Sequence, residues 1–122
     1  MCEVIDNGKT RVVNKGVDVA IFTTREFSIE AMKASRTLVV KGISTAVVEV
    51  MTLEPLDKET FISFAEKTGA LVFAEQSVYE AMVDLIKGKQ DIILERVKET
   101  TVQGIIETTL EVVKRKLANT KR

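Results

Sequence analysis

The chain has 122 residues, with 18 basic and 18 acidic side chains, one cysteine and no histidine. This length suits one globular domain, 1–122, whose core needs neither disulfide nor metal. The zero net charge does not favour nucleic acid or an anionic membrane, and the lack of histidine excludes Ser-His-Asp and Cys-His triads. One cysteine allows no internal disulfide, so cytoplasm is the expected location. There is no apolar run of signal-peptide or transmembrane type, so we expect no membrane association, and the charge balance indicates no nucleic-acid partner.

Residues 1–16 form a lead-in that differs from the rest of the chain. Short apolar stretches at 4–5 and 11–13 flank the dipeptide Asn7-Gly8. Asn-Gly between apolar stretches is typical of a tight hairpin turn. We therefore expect an edge strand or a short edge hairpin at the N-terminus.

Beyond residue 16, apolar runs alternate with amphipathic segments. The runs are typical of strands that are buried on both faces, and we expect them at 17–24, 43–51, 70–74 and 92–94. We expect the first three helices to end at Gly42, Gly69 and Gly88. Alternating strands and helices predict an α/β fold of three layers, α/β/α, with a mostly parallel sheet and an N-terminal edge strand.

The predicted helix starts carry capping signals. In a capping box, a Ser or Thr hydroxyl accepts a backbone N–H, and an acidic or amide side chain three residues later reaches back. We expect such boxes at Thr23/Thr24 with Glu26, at Ser77 with Glu80 and at Thr100 with Gln103, and an aspartate cap at Asp57.

The carboxyl edge of the sheet is where a site is expected, because ligands of open parallel sheets collect where strands end and helices begin. Arg25 would face an anion that a helix N-terminus also attracts, or would be solvated or paired with a glutamate. Glu75 would accept N–H groups of a helix start, or belong to a subunit contact or ligand site. The candidate ligand or interface residues are Thr23, Thr24, Arg25, Glu75, Gln76 and Ser77. No residue is assigned a catalytic or metal-binding role.

Gly104 stands inside the last predicted helix. A glycine in a helix interior costs about 1 kcal/mol relative to alanine. Close packing onto another backbone would explain it, either within the domain or across an interface.

A set of short motifs follows in a fixed order along the chain: Gly8-Lys9, Asp18-Val19-Ala20-Ile21, Glu30-Ala31, Gly42-Ile43, Pro55-Leu56-Asp57, Thr68-Gly69 and Glu75-Gln76. This ordered set resembles the C-terminal domain of the transketolase family, which includes transketolase, deoxyxylulose-phosphate synthase and the beta subunits of 2-oxoacid dehydrogenase E1. The resemblance covers residues from about 8 to 88 and implies the fold of that domain.

Two departures from the family pattern lie at the strand-end edge. Many members carry Glu-Glu-His followed by a Gly-Gly loop, whereas this chain has Ala74-Glu75-Gln76 and no glycine pair. Gln76 stands at the histidine position and cannot titrate. The first strand ends in Thr23-Thr24-Arg25, where a small residue or glycine is usual.

The resemblance also implies a role. In that family thiamine diphosphate binds between the other two domains, so this chain would bind no cofactor, and thiamine diphosphate with a divalent metal would bind in partner chains. The chain would be a non-catalytic structural or interaction subunit of a split thiamine-diphosphate-dependent, transketolase-like enzyme. It would form a homodimer or join separate thiamine-diphosphate-binding subunits. The alternative is a small-molecule or anion-binding regulatory domain that uses the strand-end residues.

Overall fold

The computed structural model describes residues 5–6, 8–52, 57–86 and 92–120. Six strands within these ranges form one sheet: β1 (Ile5–Asp6), β2 (Thr10–Asn14), β3 (Val19–Thr23), β4 (Thr45–Val50), β5 (Ala70–Phe73) and β6 (Ile93–Arg96). Their order across the sheet is β1-β2-β4-β3-β5-β6. The four strands β4, β3, β5 and β6 are parallel, and β2 pairs antiparallel with β4. This confirms the mostly parallel sheet.

The predicted N-terminal hairpin is confirmed. Strand β1 pairs antiparallel with β2, and the Cα atom of Asp6 lies opposite that of Arg11. Gly8 has a φ of 87°, as a tight turn between the two strands requires. Asn7, the other residue of the turn signal, lies outside the described residues.

Helices cover both faces of the sheet and complete the expected three layers. The α-helices are α1 (Ser28–Val40), α2 (Lys58–Thr68), α3 (Gln76–Met82) and α4 (Val102–Thr120), and 3-10 helices occupy Arg25–Phe27 and Val83–Ile86. The buried side chains of α1 and α4 belong to one core cluster, and those of α2 and α3 belong to a second cluster on the opposite face. From β3 the chain moves to β4 on one side, and then back across the sheet to β5 and β6 on the other side. Right-handed crossovers in opposite directions place their helices on opposite faces of the sheet.

The two cores differ in composition. Beneath α1 and α4 the core is aliphatic, and Ala31 and Ala34 bring α1 close to the sheet. Beneath α2 and α3 the core is aromatic, and Phe22 of β3 lies at its centre. The Phe22 ring centroid lies 5.4 Å from that of Phe61 and 5.7 Å from that of Phe73. Phe61 therefore lies on the inward face of α2.

The helix ends agree with the glycine signals that the structure describes. Gly42 and Gly69 follow α1 and α2 with φ angles of 86° and 71°, a left-handed conformation that side chains disfavour. Gly88 lies outside the described residues.

Of the predicted caps, only that of Asp57 is confirmed. Its carboxylate accepts the backbone N–H of Thr60 at 3.2 Å and the Thr60 hydroxyl at 2.7 Å. The carboxylate also accepts the hydroxyl of Thr10, on β2, at 2.7 Å. One buried aspartate thus caps α2 and ties its first turn to the sheet.

The capping boxes predicted at the ends of β3 and β5 are wrong. Thr24 precedes a 3-10 turn, its side chain makes no cap bond, and α1 begins only at Ser28. The turn satisfies the backbone instead, since the N–H of Phe27 donates to the carbonyl of Thr24 at 3.2 Å. Ser77 lies inside α3, after its first residue, so its hydroxyl cannot act at the cap; it donates to Glu75.

The third capping box is displaced by one residue. The hydroxyl of Thr101, rather than Thr100, accepts the N–H of Gly104 at 3.0 Å. Thr100 instead donates to the carbonyl of Ala74 at 2.8 Å, which anchors the start of α4 to the end of β5. A tertiary contact therefore decides which of two adjacent threonines becomes the cap.

Gly104 makes a close approach within the domain. A Cβ atom at this position would overlap the backbone carbonyl of Glu99. We expect Gly104→Ala to lower the free energy of unfolding by about 1–3 kcal/mol, although helix propensity alone would raise it by about 1 kcal/mol. Urea denaturation measures the sign. The exposed neighbour variant Gln103→Ala is the control, with an expected change within about 0.5 kcal/mol; a stabilised Gly104→Ala would contradict the close contact.

Helix α4 is bonded to the sheet near its C-terminal end. Lys116 Nζ donates to the carbonyl of Asp18 at 2.9 Å, and Arg115 pairs with Glu95 at 2.8 Å. Two cations near the C-terminal end of α4 thus have structural partners. No helix in the described part of the chain is both long and apolar enough to cross a membrane.

Candidate functional site

The carboxyl edge of the sheet contains a cleft at its topological switch point. Strand β3 lies between β4 and β5, and the helices that follow β3 and β5 lie on opposite faces. Strand ends that diverge in this way leave a crevice between them. The cleft, here called the switch-point cleft, has a volume of about 750 Å³, and its lining includes Thr24, Arg25, Glu26, Glu49, Met51 and Glu75.

Three of the six candidate residues line this cleft, namely Thr24, Arg25 and Glu75. Thr23 lies beneath it as the fully buried last residue of β3, and its hydroxyl donates to the carbonyl of Thr24 at 3.0 Å. Arg25 is exposed. The structure thus brings the end of β3 and the end of β5 together, as the topology predicts.

Gln76 and Ser77 are held by contacts along α3 and do not line the cleft. Gln76 Nε2 donates to Glu80 at 2.8 Å, and Gln76 Oε1 accepts from Arg96 of β6. The Ser77 hydroxyl donates to the Glu75 carboxylate. These contacts link the start of α3 to the neighbouring strand.

Glu75 occupies the N-cap position of α3, but its side chain accepts no helix N–H. The expected backbone hydrogen bonds are therefore wrong, and the Ser77 hydroxyl takes their place. The backbone of Glu75 does contribute, since its carbonyl accepts the N–H of Tyr79 at 3.2 Å. Glu75 is half-buried and forms part of the cleft wall.

Glu49 is the site residue that the sequence analysis missed. It lies in β4, is only 3% exposed, and lines the switch-point cleft. Its Cα atom is in register with that of Thr23 on the parallel neighbour β3. The available signal was one charged residue inside the apolar run 43–51, in a strand predicted to be buried on both faces.

The Glu49 carboxylate has no hydrogen-bond or ion-pair partner among residues 5–6, 8–52, 57–86 and 92–120. Arg11 of β2 lies opposite Glu49 in the antiparallel register, yet no ion pair joins the two side chains. Burying a carboxylate is costly unless it is paired and hydrogen-bonded. The carboxylate therefore keeps unused capacity to accept hydrogen bonds.

Thr24 adds a second polar group of the same kind. Its Oγ1 atom is buried and, in the described part of the chain, has no hydrogen-bond partner. A buried hydroxyl without a partner costs about 1–3 kcal/mol. The switch-point cleft thus contains two polar side chains, Glu49 and Thr24, whose hydrogen-bonding capacity is not used.

The cleft has an excess of acidic groups. Glu26, Glu49 and Glu75 line it together with a single guanidinium, that of Arg25. These carboxyl groups are not arranged as a metal centre, since no group of three or more Cys, Asp or Glu side chains in the described ranges can hold an ion. The charge balance favours a cationic group over an anion.

The protein belongs to the class of three-layer α/β/α domains. Its sheet is mostly parallel, with an antiparallel edge hairpin and a switch-point cleft. Within this class, the model of the family "Transketolase, C-terminal domain" matches residues 8–84. The chain belongs to this family.

Relatives share this segment of the chain as part of longer proteins. The chain is 29% identical to 1-deoxy-D-xylulose-5-phosphate synthase 1 of Geobacter metallireducens, over 85% of this chain and 16% of that protein. It is 35% identical to the pyruvate dehydrogenase E1 component subunit beta of Staphylococcus aureus, over 65% of this chain and 24% of that protein. The chain thus matches a quarter or less of the length of these relatives.

A solved structure confirms the fold. A split gene transketolase, described as an inactive beta4 tetramer, superposes with a TM-score of 0.81 at 23% sequence identity. The match covers 92% of this chain and 43% of that chain. At this level of identity the similarity establishes the fold.

Proposed function

We propose that the chain is a non-catalytic structural or interaction subunit of a split thiamine-diphosphate-dependent, transketolase-like enzyme. The observation that carries the proposal is coverage: the fold superposes along 92% of this chain but on only 43% of a split gene transketolase chain. The remaining parts of such an enzyme, with thiamine diphosphate and its metal, would be supplied by partner chains. A homodimer and a cytoplasmic location stay predictions.

The chemistry of the strand ends supports a non-catalytic role. General acid–base catalysis near neutral pH most often uses histidine, and this chain has none. Gln76, at the position where many members of the family carry a histidine, does not titrate. Its side chain is held by Glu80 and Arg96, beside α3 and away from the switch-point cleft.

Exposed apolar residues at the opposite edge of the sheet support an interaction role. Val39 and Val40, at the end of α1, are both exposed, and Val40 is 86% exposed. Val17, also exposed, lies at the same edge, since its N–H donates to the Ser44 hydroxyl at 3.2 Å. Grouped exposed apolar side chains are typical of protein interaction surfaces.

Purification of the tagged chain from its native lysate tests the proposal. We expect a thiamine-diphosphate-binding protein to co-purify, as identified by mass spectrometry, and light scattering on the pure chain to give its own oligomeric state. Val40→Asp should reduce co-purification by about tenfold or more, because a buried unpaired charge is costly. Ile29→Asp is the matched control at the other end of α1, where Ile29 is 66% exposed.

Two results would overturn the proposal. One is a lone monomer or dimer with no thiamine-diphosphate-binding protein. The other is ketol transfer by the pure chain with added thiamine diphosphate and Mg²⁺. Circular dichroism of each variant shows that a loss of co-purification does not come from unfolding.

A further inference from the structure

We propose that the switch-point cleft binds a small organic cation, whose ammonium or guanidinium group pairs with the carboxylate of Glu49. The proposal is independent of assembly with a partner, because every residue involved belongs to this chain. It also differs from the alternative, left open in the sequence analysis, in which Arg25 faces an anion.

The burial of Glu49 is the first argument. The side chain is 3% exposed and lies at the cleft end of β4, with the buried strand β3 beside it. The little solvent contact that remains to the side chain is at the cleft, and a carboxylate with so little water around it is stabilised by a charged or hydrogen-bonding partner. A ligand that donates N–H groups in the cleft would supply one, and charge-assisted hydrogen bonds are the stronger kind.

The internal cations do not supply this partner. Arg11 is opposite Glu49 across the β2–β4 pair, and Arg25 lines the same cleft, but the described residues include no ion pair from either to Glu49. Arg25 is exposed, so water competes for its guanidinium. The cleft accordingly keeps its acidic excess, which attracts a cation from solution.

The remaining lining indicates the shape of the ligand. The Thr24 hydroxyl is buried without a hydrogen-bond partner in the described chain and can bind a second polar atom of the ligand. Val50 and Met51 also line the cleft, and Met51 is partly exposed there. A cationic head on a short apolar chain therefore fits the cleft better than a bare metal ion.

Titration of the pure ¹⁵N-labelled chain with butylguanidinium tests the site, and neutral butylurea of similar shape is the matched probe. We expect amide shifts at residues 24–27 and 49–51 with butylguanidinium, and at least about tenfold weaker binding of butylurea, because hydrogen bonds to charged groups are the stronger ones. Glu49→Gln should weaken butylguanidinium binding by about tenfold or more. Glu111→Gln, which removes a carboxylate from an exposed position of α4, should leave binding unchanged.

The stability of Glu49→Gln without ligand distinguishes a ligand-binding role of Glu49 from a structural role. If Glu49 acts as described, Glu49→Gln leaves the urea midpoint unchanged or raises it, since a buried charge without a partner is removed. A lowered midpoint that Arg11→Met reproduces would show an internal ion pair and overturn the proposal. Equal binding of butylurea and butylguanidinium by the unmodified chain, or no amide shift in the cleft, would also overturn it without any variant.

Discussion

Replacing Phe22 with alanine is expected to lower the free energy of unfolding by about 3–5 kcal/mol. The ring is fully buried and makes an edge contact with Phe61 at 5.4 Å and a stacked contact with Phe73 at 5.7 Å. Its removal leaves a cavity between β3 and α2, bounded by side chains from three elements that cannot all move inward. Urea denaturation followed by circular dichroism measures the loss.

Two further variants serve as references for the stability loss of Phe22→Ala. Phe22→Leu keeps part of the volume and should cost less than the alanine variant. Ile29→Ala removes an exposed apolar side chain and should change stability by no more than about 0.5 kcal/mol. A loss below about 1 kcal/mol for Phe22→Ala would contradict the rigid aromatic core, because it would require the other rings to fill the space.

Asp57→Ala should lower the free energy of unfolding by about 2–4 kcal/mol, since it removes a helix cap and leaves hydroxyl groups without their acceptor. The carboxylate accepts the Thr60 N–H at 3.2 Å, the Thr60 hydroxyl at 2.7 Å and the Thr10 hydroxyl at 2.7 Å. Thr10 and Asp57 are both buried, so water does not easily replace the lost bonds. Urea denaturation again measures the change.

Two control variants distinguish the contribution of the Asp57 helix cap from that of its negative charge. Asp57→Asn keeps an oxygen that can accept the Thr60 N–H, and should cost less than Asp57→Ala. Asp84→Ala removes an exposed aspartate from the 3-10 helix Val83–Ile86 and should have an effect within about 0.5 kcal/mol. Equal losses for Asp57→Ala and Asp57→Asn would mean that the negative charge, rather than the cap geometry, stabilises this corner.

Periodicity and local chain chemistry were enough to predict the layers of the fold. The apolar runs predict β3, β4, β5 and β6 at the correct positions, and the predicted strand ends differ from those of the structure by a few residues. The helix ends predicted at Gly42 and Gly69 are correct because a left-handed helix end depends mainly on the residue itself. Strand positions and C-terminal helix ends at glycine depend on local sequence, so they can be predicted from it.

Two other features depend on groups that are distant in sequence. Thr100 is drawn to the carbonyl of Ala74, so the cap at α4 passes to Thr101. Gly16 is required because a Cβ there would overlap the backbone between Thr45 and Ala46, which no neighbouring residue of Gly16 reveals. Such close approaches exist only once the strands are paired.

Residue patterns alone predict the fold class, the edge of the sheet that contains the switch-point cleft, and three of the residues that line this cleft. The contact of Gln76 with Arg96 of β6 and the burial of Glu49 in the cleft became visible only in the folded domain. Both depend on residues of neighbouring strands that are distant in sequence. In the sequence, Glu49 is one charged residue in an apolar run, and its burial follows only when β4 pairs with β2 and β3.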